Sequence, residues 1–221
     1  MLPNLRLFQL ISPSLPVGAF TYSQGLEWAI EAGWVTNAKE LHDWLLGVLQ
    51  QSVTSLELPV LIRLYHAFEK QDWDQVTYWS TYLYASRETS ELRAEERQRG
   101  KALSVLLPSL DIEIPEASES SLHLTQLAGM ALAASRWQIP LDQLCSGYLW
   151  SWIENSVMAG VKLVPLGQTQ GQQLLMTLSE ALPELQQQAM QIRDEDVAGC
   201  TPALAIASSR HETQYTRLFR S

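Results

Sequence analysis

The sequence predicts an all-α fold, a single-domain bundle of roughly eight to ten helices. Three observations predict it. Leu141, Leu144, Cys145, Tyr148, Leu149, Trp152, Ile153, Val157 and Val161 fall at i, i+3, i+4, i+7 spacing, with Ser156 and Gly160 in the two remaining places. One apolar stripe therefore runs for about five turns. Pro140 and Pro165 bracket it, as helix punctuation requires. No stretch alternates apolar and polar residues between turn signals for long enough to make a strand.

The other elements follow in chain order. The opening, MLPNLRLFQLIS, has no basic region feeding a long apolar segment, and no apolar run approaches a membrane span. The expectation is a soluble, cytoplasmic protein. Residues 12–28, SPSLPVGAFTYSQGLEW, mix Pro13, Pro16, Gly18 and Gly25, which fix or free the backbone, with Leu15, Val17, Phe20, Tyr22, Leu26 and Trp28, which seek a core. Ser23 is placed to cap the helix carrying Leu26, Trp28, Ala29 and Ile30. Asn37 and Glu40 can form a capping box ahead of Leu41, Trp44, Leu45, Val48 and Leu49. Helical segments are expected over 59–70, 73–88, 90–107 and 120–137, then the long stripe, then 170–181, 184–193 and 203–219. The acidic, proline- and glycine-containing stretches 109–120 and 193–199 read as solvated connections.

A chain of 221 residues, 46% hydrophobic, can bury one substantial core, so residues 1–221 are expected to form one domain. The formal charge of -9 would repel a phosphate backbone, which argues against nucleic acid as a partner. Cys145 and Cys200 lie far apart without framework spacing, which suits two ordinary thiols in a reducing compartment.

Several catalytic signatures nearly form, and each fails at a definable place. TYSQG at 21–25 approaches the nucleophile elbow, but Thr21 replaces the first glycine and no strand supports it. A helical hydrolase using Ser23 is the enzymatic alternative. Around GKA at 100–102, Glu95 stands where a phosphate loop has its first glycine and Ala102 where it needs Ser or Thr; GQTQG at 167–171 lacks the lysine. HETQY at 211–215 has Tyr215 where a second zinc ligand belongs. His42, His66, His123 and His211 are dispersed, and His66 with Glu69 reads as a solvated polar edge. Neither a metal site nor a cofactor is expected.

What stands out is SRETSELRAEERQRGKAL at 86–103. Between Leu92 and Leu103 it has no large apolar side chain, so ordinary core burial cannot hold its middle turns. Arg87 with Glu91, Glu95 with Arg99, and Arg93 with Glu96 are spaced to pair, each worth about 0.2–0.5 kcal/mol. Two readings stand: a solvated face, or a protein interface in which both signs select a partner. Lys162, near the end of the long stripe, either satisfies the last carbonyls of its helix or contacts a partner. The last helix, ending in RHETQYTRLFRS, joins Arg210, Arg217 and Arg220 to Tyr215, Leu218 and Phe219, so it can dock on this domain or on another protein.

Three segments together resemble the UreF family of urease accessory proteins: LFQLISPSLPVGAFTYSQGLEWAIEAGWV at 7–35, SRETSELRAEERQRGKAL at 86–103 and VKLVPLGQ at 161–168. The resemblance spans most of the chain in the same order. It implies an all-helical, non-enzymatic chaperone for nickel insertion into apo-urease. Such a protein forms a homodimer, binds UreD (UreH in some systems) and with it recruits the GTPase UreG.

By the same resemblance, Tyr22, Ser23, Gln24, Gly25 and Glu27 belong to a signature surface presented from a loop-to-helix turn. The competing account is that this segment serves packing alone. Arg93, Glu96 and Arg99 become interface residues on the charged helix, and Lys162 a contact to the GTPase. Tyr215, Leu218 and Phe219 become anchors on UreD, within a segment of about 200–221 that gains order on partner binding. A second role compatible with the family is regulation of UreG hydrolysis, with Arg93 or Arg99 reaching the nucleotide.

Overall fold

A computed structural model describes the chain from Met1 to Ser221, apart from the side chain of Ala19. Twelve α-helical segments follow one another: α1 Leu2–Leu10, α2 Leu26–Glu31, α3 Ala38–Val48, α4 Leu58–Lys70, α5 Trp73–Ala85, α6 Ser90–Leu106, α7 Glu119–Leu124, α8 Gln126–Arg136, α9 Leu141–Leu163, α10 Gln168–Ser179, α11 Leu182–Gln191 and α12 Pro202–His211. No strand occurs among the described residues. The all-α expectation holds, with more segments than expected. One addition is α1. The other arises at Thr125, whose extended backbone (φ -146, ψ 141) breaks the predicted 120–137 helix, and whose hydroxyl accepts the Leu127 N–H to start α8.

The reverse happens at Pro59, where two separate helices were expected. Instead α3, a π-helical stretch Leu49–Glu57 and α4 run on as one helix, Ala38–Lys70. Proline has no N–H to give the carbonyl four residues back. That carbonyl, Ser55 O, accepts the Ala198 N–H at 3.2 Å, and Gln51 O accepts Cys200 N–H at 3.1 Å. The connection after α11 thus supplies the donors that the helix lacks. This continuity also corrects the membrane reading: the 33-residue helix has an 18-residue window of mean hydropathy 1.4, long and apolar enough to cross a membrane. However, 67% of that window is buried within the chain, as expected of a core helix.

The core is built on α4, α8 and α9. Leu58, Val60, Leu61 and Leu64 are fully buried on α4, which packs on α8, where Ala128, Ala131, Ala133 and Ala134 are fully buried and small enough to let the two helices approach closely. The α9 stripe buries Leu144, Cys145, Tyr148, Leu149, Trp152, Ile153 and Val157 as its spacing predicts. Cys145 and Cys200 are both free thiols, and burial pushes the Cys145 thiol up to about 12.

The predicted helix 203–219 stops at His211. Beyond it the Leu218 and Phe219 N–H groups donate to the Glu27 carboxylate instead of to a preceding helical turn. The tail therefore leaves α12 and crosses over α2 towards the loop before it.

Candidate partner-binding surface

The loop before α2 is shaped by left-handed residues: Gly18 (φ 73), Gln24 (φ 52) and Gly25 (φ 79). Gly25 is required twice over. Its φ suits glycine, and a Cβ there would stand 2.7 Å from the Ser208 backbone nitrogen on α12. The close approach that Gly25 permits is thus made by another helix of the same chain. Ser23 donates both its N–H and its hydroxyl to the Ser221 carbonyl, each at 2.6 Å, and its Oγ accepts the Glu27 N–H at 3.3 Å. Arg220 N–H donates to Thr21 O at 2.8 Å, so the tail and the loop are joined backbone to backbone.

The middle turns of α6 are held by buried ion pairs. Arg87 donates to Glu57 at 2.8 Å, and to Glu96 at 2.9 Å from Nε and 2.6 Å from Nη2. Tyr148 donates its hydroxyl to Glu57, and Thr125 donates to Glu96 at 2.6 Å. Burial pushes the Glu57 carboxyl up, but Arg87 and the Tyr148 hydroxyl together outweigh it and hold the group below its ordinary range. A second cluster surrounds Glu95, which accepts from Arg99 at 2.9 Å, Gln24 Nε2 at 3.0 Å and the Ser221 hydroxyl at 2.9 Å. Here burial prevails over Arg99 and Ser221, and the Glu95 carboxyl lies above its ordinary range.

Of the pairs predicted along the charged helix, only Glu95 with Arg99 forms. Arg87 turns inward to the buried Glu57 and Glu96, while Glu91 is engaged by the tail and the end of α12. Arg93 donates to the Arg87 carbonyl at 2.6 Å. Glu91 faces the end of α12 and the tail, accepting Arg217 at 2.7 Å and lying 2.7 Å from His211 Nδ1.

These contacts bring four distant segments together. Tyr22 reaches Gln98 at 2.7 Å, Gln24 reaches Glu95, Glu27 holds the tail, and the Lys162 ammonium lies 5.8 Å from the centre of the Phe219 ring. Tyr215 (103% exposed), Leu218 (76%) and Lys162 point outward, while Tyr22, Gln24, Arg93 and Arg99 are partly buried. Ser23, Gly25, Glu27, Glu96 and Phe219 lie in the interior, where their contacts are intramolecular. Glu96 in particular faces Arg87 and Thr125, not the tail.

The UreF family profile matches residues 35–179. This chain belongs to the UreF family. It is 55% identical to the urease accessory protein UreF of Alcanivorax borkumensis over 98% of this chain and 97% of that protein. It is 54% identical to the Pseudomonas putida W619 protein of that name, over 98% of this chain and 97% of the relative. For the Citrobacter koseri protein, also named urease accessory protein UreF, identity is 49% over 99% of this chain and 97% of the relative.

UreF-family members are accessory proteins, not enzymes. The geometry around Ser23 agrees, since its hydroxyl is spent on Ser221 O and both nitrogens of the buried His211 face carboxylates. The cavity beside it, between Tyr22, Gln24, Arg99 and Trp152, measures about 30 Å³. Ligand pockets run to roughly 300–1,000 Å³, so this space suits a single water. Among the described residues, no group of three or more His, Cys, Asp and Glu is arranged to hold a metal ion.

Sequence reasoning missed Glu57 and His211 as members of these clusters. Glu57 carried a signal: a lone carboxylate between Leu56 and Leu58 in an apolar run demands a buried counter-charge. His211 was weighed only as a metal ligand, and its true neighbours come from α2 and α6.

Proposed function

We propose that this UreF-family chain is an adaptor in urease maturation, which with UreD or UreH recruits the GTPase UreG for GTP-dependent nickel insertion into apo-urease. Family identity supports the general role in urease maturation. The observation that supports the adaptor reading is the convergence of the 22–27 loop, α6, Lys162 and the tail on one face, with Tyr215, Leu218 and Lys162 left outward. Nickel is cargo in this scheme. The protein acts in the cytoplasm, as a homodimer.

The regulatory alternative asks Arg93 or Arg99 to reach a nucleotide. Both guanidiniums already donate within the chain, to the Arg87 carbonyl and to Glu95, which favours recruitment over direct participation in hydrolysis. The deciding experiment is co-purification of this chain with UreD and UreG, sized by light scattering with GMPPNP or GDP present. A defined complex that forms only when this chain is included is the expected result. A chain that stays alone under every nucleotide condition overturns the proposal.

A further inference from the structure

We infer that the cavity between α6, α9 and the loop before α2 is the binding site of one ordered water, held as a bridge between Arg99 and Trp152. Two buried donors require it. The Arg99 Nε–H and the Trp152 Nε1–H are both shut off from solvent, and neither meets an acceptor among the described residues. Both side chains line the cavity of about 30 Å³, and Trp152 is only 8% exposed, so bulk solvent does not serve its indole. A buried N–H is almost always bonded, and two orphans in one small space call for a common acceptor.

The chemistry of the wall selects the occupant. Guanidinium and indole nitrogens donate and never accept, so what they hold is neither a metal ion nor an ammonium group. An anion would share the space with the Glu95 carboxylate, which already takes the Arg99 charge through Nη1 at 2.9 Å, and Glu57 stands one hydrogen bond further back, beyond Tyr148. Like charges in one buried space repel. Water accepts two bonds, here from Arg99 and Trp152, and its protons have takers on the same wall. These are the Tyr148 hydroxyl oxygen, whose own proton goes to Glu57, and the side-chain oxygen of Asn155, whose amide nitrogen donates to Ser151 O at 2.9 Å. A buried structural water makes two to four such bonds, and a cavity of about 30 Å³ admits it while excluding a substrate-sized ligand.

The bridge acts on the loop through Glu95. Arg99 grips Glu95 with Nη1, and Glu95 in turn accepts Gln24 Nε2 at 3.0 Å and the Ser221 hydroxyl at 2.9 Å. By taking up Nε, the water fixes the plane of the guanidinium, and with it the carboxylate that joins the loop to the last residue of the chain. It also ties α6 to α9 at a level where α6 has no large apolar side chain to bury. The water is thus a positioning element beneath the face that carries Tyr22 and Gln24.

The test is a crystal structure of the whole chain at a resolution that shows ordered water, with a second crystal soaked in bromide. The expected result is one water within about 2.7–3.2 Å of both Arg99 Nε and Trp152 Nε1, and no anomalous bromide peak at that position. Trp152→Phe keeps an aromatic ring but removes the donor, and the water should be lost from its place beside Arg99. A bromide peak overturns the inference by making this a site for anions, and so does either nitrogen bonded directly to a protein acceptor. Water density unchanged in Trp152→Phe would overturn the bridge. If that variant fails to fold, the two wild-type crystals decide.

Discussion

Gly25 and Ser208 meet so closely that no other side chain fits between them: a Cβ on Gly25 would stand 2.7 Å from the Ser208 nitrogen and 3.1 Å from its Cα. The contact fixes α12 against the loop before α2, and through α12 it fixes where the tail starts. Gly25→Ala is expected to cost about 1–2 kcal/mol from the left-handed backbone alone, with a further loss because the neighbour is backbone and cannot swing away. Urea unfolding measures the total. Limited proteolysis should show earlier cleavage beyond His211 than elsewhere, and uniform loosening of the chain would count against this local account.

Arg87 answers two buried carboxylates, Glu57 and Glu96, so its removal leaves both without their counter-charge. Arg87→Met is expected to destabilise the protein by about 3–5 kcal/mol, several times the loss expected for an exposed pair such as Lys39 with Asp43. Denaturant midpoints of Arg87→Met and Lys39→Ala compare the two directly. Equal small losses would mean that water reaches the Arg87 cluster.

Local physics was legible in the sequence, and long-range pairing was not. The α9 stripe could be read because a helix repeats its buried face at fixed spacing, and Asn37 could be read as a cap because its targets, the Lys39 and Glu40 N–H groups, lie within one turn. Pro59 misled, since the donors that let the helix continue come from Ala198 and Cys200, far along the chain. In the same way, nothing near Gln24 announces Glu95, and nothing near Arg87 announces Glu57. The resemblance named the loop, the charged helix, Lys162 and the tail as partner residues. Only their packing tells which point outward and which, like Glu27 and Glu96, hold the others in place.

Glu95 offers a test by pH. Burial raises its carboxyl above the ordinary range, so the folded state holds this proton more tightly than the unfolded chain does. Its stabilising contribution is full below the unfolded value of about 4.3 and is lost as pH rises through the folded value. Glu57 runs the other way: its lowered value contributes stability above the unfolded value that is lost as pH falls. Glu95→Gln removes the first slope and leaves the second. The stability difference between wild type and variant, from urea titrations between about pH 4 and 7, should shift in the variant's favour as pH rises. A difference that stays flat would mean that folding does not raise the Glu95 carboxyl.

Lys162→Ala separates packing from recognition on α9. The ammonium over the Phe219 ring is exposed to solvent, where such contacts contribute about 0.5–1 kcal/mol. Folding should therefore survive, with a midpoint shift no larger than that contribution. Capture of UreG should weaken measurably in the same preparation. Undiminished complex formation would remove Lys162 from the partner surface.

Tyr215 and Leu218 make the sharpest contrast with their neighbour Phe219. The first two project from the tail at 103% and 76% exposure, whereas Phe219 is 7% exposed and lies against Lys162. Exposed side chains that touch little change stability by no more than about 0.5 kcal/mol when truncated, while truncating a buried phenylalanine costs about 3–5 kcal/mol. Tyr215→Ala and Leu218→Ala should then fold as well as the parent yet lose capture of UreD, because aromatic and apolar anchors carry a disproportionate share of binding energy. Phe219→Ala should instead unfasten the tail, which proteolysis beyond His211 would register before any partner is added. If the two exposed variants bind UreD as the parent does, the tail serves only to brace the loop around Ser23, and the partner must be met by another face of the bundle.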